Sequence, residues 1–202
     1  MLPVGTAETW ATIAPLVPES AYLVGGTALT VHLLHRVSRD LDFFLERVED
    51  LAALAHALEE AGLVIFDQRD ERTINCTFNE TKVQVLDATS QKLLQPTIPV
   101  GGVRVASVAD ILATKLKVIS DRGELRDYFD LMVIEKTAGI RIEDGLAWAL
   151  NKYDPRDRTE FVRRTIRALD HTDDLLDDPG LPVSRAEIVL YWARRSADLC
   201  LR

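Results

Sequence analysis

A short apolar strand that runs into two glycines, followed by a second segment of strand period, restricts the fold of this chain more than any other feature. Tyr22-Leu-Val24 leads into Gly25-Gly26, after which Thr27 to Leu34 has the apolar spacing of a helix. Arg39 to Leu45 then alternates charged and apolar residues, which indicates a strand. A strand that turns through glycines into a helix leaves backbone N–H groups free, and these groups with the helix dipole can hold a phosphate. The pattern predicts an α/β unit with an anion-binding turn.

Around this pattern, the first half of the chain predicts further strands and the second half predicts helices. Asn79-Glu80-Thr81 is a short polar connection between two strand-like runs, which suits a β-hairpin. We expect an α/β (α+β) fold, with a mixed β-sheet flanked by helices in residues 1–106 and a helical C-terminal part, residues 107–202, packed on this core. The predicted strands are 63–66, 73–78, 82–86 and 103–105, the predicted helices are 7–16, 50–61, 107–120, 124–137, 143–152, 156–169 and 185–200, and 88–101 and 171–182 are predicted loops.

Composition excludes several classes of protein. Of the 202 residues, 47% are apolar, which is enough to bury a core and argues against a disordered chain. No run approaches the ~20 apolar residues of a membrane span, and the N-terminus lacks the basic and apolar segments of a secretion signal. We therefore expect a cytoplasmic protein with no membrane partner, in which Cys76 and Cys200 are reduced core thiols. The net charge of −8 disfavours nonspecific coating of nucleic acid.

Three aspartates suggest metal-dependent chemistry. Asp40 and Asp42 occupy alternate strand positions, so their carboxylates share one face. Two carboxylates this close repel each other in a partly desolvated site unless a divalent cation lies between them, and Mg²⁺ is the natural candidate. Asp87 ends the strand-like run that starts at Lys82, where a neighbouring strand could bring the other two acids. Such a site could activate a hydroxyl and stabilise the pyrophosphate that leaves a nucleoside triphosphate.

A simpler interpretation of the same acids stays open. Asp40 and Asp42 could form the exposed side of an edge strand, while Asp87 caps a turn. For an isolated Asp-x-Asp this interpretation is the stronger one. The diglycine turn upstream shifts the balance toward a metal site.

The diglycine turn and the paired aspartates together resemble the first motif of the nucleotidyltransferase superfamily. Thirteen residues separate Gly25-Gly26 from Asp40-x-Asp42. The fuller strings, GGTAL from Gly25 and RVSRDLDFF from Arg36, are similar to those of the AbiEii/AbiGii toxins, which include the mycobacterial MenT toxins. The resemblance covers about residues 20–135 and continues at Asp110 to Lys115, Arg122, Arg126, Asp127, Asp130 and Leu131.

The resemblance implies a nucleotidyltransferase fold and a metal-dependent transfer of a nucleoside monophosphate from a nucleoside triphosphate. It also implies a toxin role that a cognate antitoxin opposes. For the MenT branch the implied acceptor is the 3′ end of tRNA, where added nucleotides would block aminoacylation and translation. The candidate site comprises Asp40, Asp42 and Asp87 as metal-binding and catalytic acids, Gly25, Gly26, Thr27, Ser38 and Arg39 for the nucleotide, Lys115 for the triphosphate and Asp130 for support of this arrangement.

Ser38 also motivates a hypothesis about regulation. It precedes Asp40 by two residues, so both share a face if the strand begins that early. Phosphorylation of Ser38 would place about two negative charges beside the metal-binding carboxylates. The expected outcome is loss of metal or nucleotide binding.

Helical period alone makes Lys115 unusual. In an amphipathic helix from Val108, position 115 lies on the apolar stripe, whereas Lys117 lies on the polar side. A lysine on an inward face must reach solvent or meet an anion, and a triphosphate or the carboxylate cluster would satisfy it. The alternative is a structural ion pair with Asp127 or Asp130.

Asp127 and Asp130 are neighbours on one helix face. The family pattern suggests that Asp130 faces the site, whereas Asp127 could instead hold Arg122 or Arg126. Arg36 and Arg39 flank the acidic motif and could contact phosphates.

A candidate surface for RNA lies in the predicted C-terminal helices. Arginines at these spacings suit the phosphate contacts that would position an acceptor stem, although a solvated, ion-paired face explains them equally well. His32 and His35 are interpreted as structural. The arginines of this surface are Arg156, Arg163, Arg167, Arg194 and Arg195.

Two other functions stay open. The chain could be a nucleotidyltransferase that modifies a small molecule such as an antibiotic, or a nucleotide-binding or partner-binding module without catalysis. A module that only binds has no need of several mutually repelling acids. The joint presence of Asp40, Asp42 and Lys115 therefore favours an enzyme.

Overall fold

The computed structural model describes residues 2–200, and of Cys200 only the backbone. The chain divides into two compact units, an N-terminal unit (Met1–Ser107) and a C-terminal unit (Val108–Arg202). The seven strands of the described residues lie in the first unit and five helices lie in the second. In the part of the chain that the structure describes, no helix combines the length and the apolar character that crossing a membrane requires.

The N-terminal unit is built on one seven-stranded mixed sheet with the strand order β3-β4-β5-β2-β1-β7-β6. Strand β1 runs antiparallel to β2 and parallel to β7, and β2 runs parallel to β5. This mixed sheet confirms the predicted fold class. The strands are β1 (Ala21–Val24), β2 (Leu41–Leu45), β3 (Val64–Arg69), β4 (Thr73–Phe78), β5 (Thr81–Asp87), β6 (Ile98–Val100) and β7 (Val103–Val105), and the helices are α1 (Val4–Ile13), α2 (Gly25–Leu33) and α3 (Asp50–Ala61).

One face of this sheet forms the core. Alternate residues of β4, β5 and β2 are buried there, because successive side chains of a strand point to opposite faces. Helix α1 lies on this face, and the hydroxyls of Thr9 and Thr81 are 3.0 Å apart in a buried hydrogen bond. Each large apolar side chain buried in this way contributes about 1.5–3 kcal/mol. The apolar residues of this face include Leu41, Phe43, Ile74, Cys76, Phe78, Val83 and Val85.

The β4–β5 hairpin sets the register of this half of the sheet. Asn79 and Glu80 both have positive φ, 43° and 69°, as a two-residue type I′ turn requires. Thr81 already belongs to β5 and pairs with Phe78. The predicted polar connection is therefore a hairpin, one residue shorter than expected.

The C-terminal unit consists of helices whose buried residues include charged pairs. Lys152 Nζ donates to Asp110 Oδ1 at 2.9 Å, and both side chains are almost completely buried. Trp192 is also buried, and its indole N–H donates to the carbonyl oxygen of Tyr128 at 3.0 Å. The helices are α4 (Val108–Asp121), α5 (Leu125–Val133), followed by a π-helical turn at Ile134–Ala138, α6 (Ile142–Tyr153), α7 (Arg158–Asp170) and α8 (Arg185–Cys200).

The structure differs from the predicted elements mainly at their ends. Strand β6 lies in the segment that was expected to be a loop, where it pairs with β7. Strand β2 begins at Leu41 rather than Arg39, since its antiparallel partner β1 ends opposite Asp42. These differences come from pairing between distant segments, which local spacing does not encode.

Candidate active site

The carboxylate of Asp42 lies against the diglycine turn. In the antiparallel β1–β2 pair, Asp42 is opposite Val24, the residue that precedes Gly25. Gly25 has a φ of +70°, and a Cβ built there would fall well inside van der Waals contact with Asp42 Oδ2. Glycine is therefore required at this position both by its left-handed backbone and by the close approach of the acid. The structure thus brings together the two halves of the predicted motif.

Helix α2 begins at this turn, beside a positive charge. Its first residues are Gly25 and Gly26, so the N–H groups of the first helical turn open onto the space next to Asp42. A Cβ at Gly26 would collide with the guanidinium of Arg36. The helix start and Arg36 together can balance the charge of a bound phosphate.

Thr27 anchors the loop that carries Asp40. Its hydroxyl donates to the carbonyl oxygen of Asp40 at 2.6 Å and lies 2.9 Å from Ser38 Oγ. Thr6 donates to the carbonyl oxygen of Arg39 at 3.1 Å from the other side. Thr27 and Ser38 are both buried. The hydroxyl of Thr27 therefore positions the acidic loop, and phosphorylation of Ser38 would require this loop to open.

Asp40 and Asp42 are the residues that could hold a magnesium ion together with a substrate. Both are half-buried, and Asp40 immediately precedes β2, whereas Leu41 and Phe43 point into the core. Among the described residues no group of three or more His, Cys, Asp or Glu could hold a metal. Mg²⁺ is commonly bound by one or two carboxylates together with substrate phosphates. The two acids fit this mode of binding, in which the nucleotide completes the coordination.

Asp87 is not brought to this pair, which corrects the expectation of a third acid. In the parallel β2–β5 pair, Asp42 is opposite Gln84, and Asp87 is opposite Leu45. Three residues of a strand span about 10 Å, and an odd offset also turns Asp87 toward the other face of the sheet. There its carboxylate pairs with Arg72 at 2.6 Å.

The surroundings of Asp87 give it a role in stability. Burial alone would raise the pKa of this carboxyl, but hydrogen bonds from Thr89 and the ion pair with Arg72 outweigh it and hold the pKa below its ordinary value. A lowered pKa in the folded state stabilises the protein above about pH 4 and is lost as the pH falls through the folded-state pKa.

We therefore expect the free energy of unfolding of Asp87→Asn to depend less on pH, at acidic pH, than that of the unaltered protein. Urea unfolding at pH 7 should show a less stable variant, and the difference from the unaltered protein should shrink as the pH falls below about 4. Asp173→Asn, in an exposed loop of the C-terminal unit, serves as the control. An unchanged difference between pH 7 and pH 3 would contradict this account of Asp87.

The residue opposite Asp42 is Gln84, which the sequence did not single out. Strand period places Gln84 on the face opposite to Val83 and Val85. That this is the face of Asp42 follows only from the β2–β5 register. The available signal was a polar residue between the two buried valines at the centre of β5.

Lys115 of the C-terminal unit is held by two carboxylates. Its ammonium lies 2.7 Å from Asp127 Oδ1 and 2.7 Å from Asp130 Oδ2, and the side chain of Asp130 is 0% exposed. Asp127 also accepts a hydrogen bond from the backbone N–H of Glu124, which closes a capping box at the start of α5. The structural alternative considered for Lys115 is thus present, with both acids rather than one.

The expectation that Asp127 pairs with Arg122 or Arg126 is wrong: the contacts described for Asp127 include neither arginine. Arg126 pairs with Glu124 at 2.7 Å, and Arg122 lies 3.8 Å from the same carboxylate. Glu124 takes both arginines because it is exposed at the helix start, whereas Asp127 is turned inward to Lys115. The inward acid neutralises the buried ammonium.

The predicted arginine surface is divided by the structure. Arg163 and Arg167 line an open groove of about 740 Å³ together with Val162 and Ile166. Arg195 instead pairs with Glu135 and Glu143. This surface is therefore smaller than the spacing of its arginines suggested.

Two further expectations concern residues away from the site. His32 Nε2 is 2.8 Å from the carbonyl oxygen of Ala106, in agreement with a structural role. Cys76 is a buried free cysteine, and burial raises the pKa of its thiol to about 11. The side chain of Cys200 lies outside the described residues.

A mixed sheet whose second strand carries Asp42 beside a diglycine turn and a helix start, with Asp40 just before that strand, is the arrangement expected of nucleotidyltransferases. The chain belongs to the family described as nucleotidyl transferase AbiEii toxin, type IV toxin-antitoxin system, whose model matches residues 12–93 and 74–187. It is therefore a member of a family of nucleotidyltransferase toxins. This agrees with the resemblance found in its motifs.

Individual relatives are distant. An uncharacterised protein of Aquifex aeolicus strain VF5, aq_aa25, is 24% identical over 160 residues, which is 78% of each chain. The crystal structure of JHP933 from Helicobacter pylori superposes with a TM-score of 0.57 at 17% identity, over 98% of this chain and 92% of JHP933, and shows a shared fold. MenT4, a nucleotidyltransferase toxin from Mycobacterium tuberculosis H37Rv, aligns over 95% of this chain and 89% of MenT4 at 16% identity, with a TM-score of 0.44 that is too low to support a conclusion.

Proposed function

We propose that this protein transfers a nucleoside monophosphate from a nucleoside triphosphate to the 3′ end of tRNA. The product would block aminoacylation and stop translation in the cytoplasm until a cognate antitoxin intervenes. The observation that carries the proposal is the contact between the Asp42 carboxylate and Gly25 at the start of α2. It places an acid directly beside the N–H groups that suit a phosphate.

The proposed reaction is an in-line displacement at the α-phosphorus. The acceptor hydroxyl oxygen forms a bond to phosphorus, the bond to the β-phosphate oxygen breaks, pyrophosphate leaves and the hydroxyl proton passes to water. Magnesium, held by Asp40 and Asp42, would neutralise the phosphate charge and lower the pKa of the attacking hydroxyl. The diglycine turn and Arg36 would hold the triphosphate, while Thr27, Ser38 and Arg39 keep the acidic loop in place.

Lys115 and Asp130 are assigned to the triphosphate and to its support by the family resemblance. The buried ammonium lies 2.7 Å from each of two carboxylates, and an ammonium group is a compact positive charge that can attract a phosphate. Asp130 would fix the position of this charge, because its side chain is fully buried and surrounding residues hold it in place. This assignment makes Asp130 a positioning residue.

The direct test is the transfer of radiolabel from each of four α-labelled nucleoside triphosphates to purified tRNA. We expect labelled tRNA with at least one nucleotide, no label after the tRNA 3′ hydroxyl is oxidised with periodate, and no transfer when EDTA removes magnesium. A parallel reaction contains small hydroxylated compounds, including aminoglycosides.

The outcomes separate the parts of the proposal. Label on the small compounds but not on tRNA would refute the acceptor. Transfer that continues in EDTA would refute the metal. The absence of label on every acceptor would refute the enzymatic function.

A further inference from the structure

A row of amide side chains crosses the sheet in register with Asp42. Asp42 is opposite Gln84 of β5, Gln84 is opposite Asn75 of β4, and Asn75 is opposite Gln68 of β3. Because partners in register point to the same face, these four side chains form one line across four strands. We call Gln68, Asn75 and Gln84 the amide row.

Hydrogen bonds order the amide row in a single direction. Gln84 Nε2 donates to Asn75 Oδ1 at 2.6 Å, and Asn75 Nδ2 donates to Gln68 Oε1 at 2.9 Å. Gln68 Nε2 then donates to Asp70 Oδ2 at 2.6 Å. Each amide therefore fixes the orientation of its neighbour, so a ligand would meet groups that are already in place.

The amide row retains hydrogen-bonding capacity on an accessible face. A primary amide offers two N–H donors and an oxygen with two lone pairs, and the row uses one donor of each amide. Gln84 and Asn75 are half-exposed and Gln68 is exposed, whereas the opposite face of β4 and β5 is buried. Lys82, exposed and two residues before Gln84 on the same strand face, adds a positive charge.

The position of the amide row relative to the diglycine turn suggests which reactant it would contact. Asp42 has β1 on one side, where Val24 leads into Gly25, and β5 with Gln84 on the other. In an in-line displacement the acceptor and the leaving pyrophosphate lie on opposite sides of the phosphorus. If the triphosphate occupies the turn, the amide row lies on the side from which the acceptor arrives.

We infer that the amide row binds the nucleobases of the unpaired 3′ end of an RNA acceptor and discriminates between them. The inference rests on the proposed function, because it assumes that the reaction takes place at Asp42. Asn and Gln side chains recognise base edges with paired donor and acceptor contacts, and single-stranded RNA exposes these edges. Sheet faces of other RNA-binding proteins hold two or three unpaired bases, there by stacking on aromatic side chains, and the amide row offers three neighbouring strands for the same purpose.

The test combines binding and transfer for four RNA acceptors that differ only in the 3′-terminal base, and a fifth acceptor that is abasic there. Binding of fluorescent RNA is measured by anisotropy with calcium in place of magnesium, and transfer is measured with labelled nucleotide. The variants are Gln84→Ala and Asn75→Ala. Asn151→Ala, an exposed amide on α6, is the matched control.

We expect the unaltered protein and the control to prefer one terminal base by about tenfold over the others and over the abasic end. Gln84→Ala and Asn75→Ala should reduce this preference to about twofold or less, while they keep transfer to the abasic acceptor.

The same base preference in all four proteins would overturn the inference and leave the proposed function intact. Tight RNA binding with no transfer by any protein would overturn the proposed function, whereas base preference lost in the row variants would still support the row as an RNA site. A preference that follows the incoming nucleotide instead of the acceptor would also overturn the inference.

Discussion

Replacement of Asp42 by Asn is expected to abolish nucleotidyl transfer, with a fall in rate of about 10³-fold or more. The substitution keeps the shape of the side chain and its contact with Gly25 but removes the negative charge that magnesium requires. The free energy of unfolding should change little, because Asp42 is only half-buried and the amide has nearly the same shape as the carboxylate. Transfer of labelled nucleotide to tRNA, measured with chemical denaturation of the same preparation, separates these two effects.

Two acids of the same sheet serve as controls for Asp42. Asp67→Asn lies in an exposed part of β3, and Asp87→Asn lies on the other face of β5, so both should keep transfer within about twofold of the original rate. Growth is a second readout: expression of the unaltered protein without its antitoxin should arrest cells, and expression of Asp42→Asn should not. Growth arrest by Asp42→Asn would contradict the catalytic role, and loss of transfer in Asp87→Asn would contradict the strand register.

The second large effect is expected at Lys115. Its replacement by Met leaves two inward carboxylates without their cation, and Asp130 has no exposed surface through which water could compensate. Removal of one partner from a buried ion pair costs about 3–5 kcal/mol. The free energy of unfolding of Lys115→Met should therefore fall by about this amount in urea titrations at pH 7.

Lys117 offers a matched control on the same helix. It pairs with Asp121 at 2.8 Å, but both side chains are more than 40% exposed, so Lys117→Met should cost at most about 1 kcal/mol. The double variant Lys115→Met/Asp130→Asn should recover part of the lost stability, because it removes one of the two carboxylate charges that Lys115 no longer neutralises. A loss in Lys115→Met no larger than that in Lys117→Met would contradict the buried ion-pair network.

The same variants decide whether Lys115 also acts on the triphosphate. If it does, folded Lys115→Met should show a higher KM for the nucleoside triphosphate or a lower kcat, and the double variant should remain impaired while its stability recovers. Restored transfer in the double variant would assign Lys115 to stability alone. Stability and transfer are thus separable at this residue.

Local patterns in the sequence predicted the framework of the candidate site. Two glycines after a short apolar strand predicted the turn into α2, and strand period predicted that Asp40 and Asp42 share a face while Leu41 and Phe43 enter the core. These features depend on residues within a few positions of one another, where side-chain spacing and backbone freedom decide the outcome. The family resemblance rests on the same short strings.

The tertiary structure decided which distant residue meets which. Parallel pairing of β2 with β5 places Gln84 rather than Asp87 opposite Asp42, and a shift of one residue in that register would have turned every side chain of β5 to the other face. Packing within the C-terminal unit likewise gave Lys115 two acids, while the arginines expected for Asp127 went to Glu124. The sequence thus determined the chemistry of each short segment, because that chemistry is local. The partner of each segment depended on the simultaneous burial of many apolar side chains, which only the folded chain establishes.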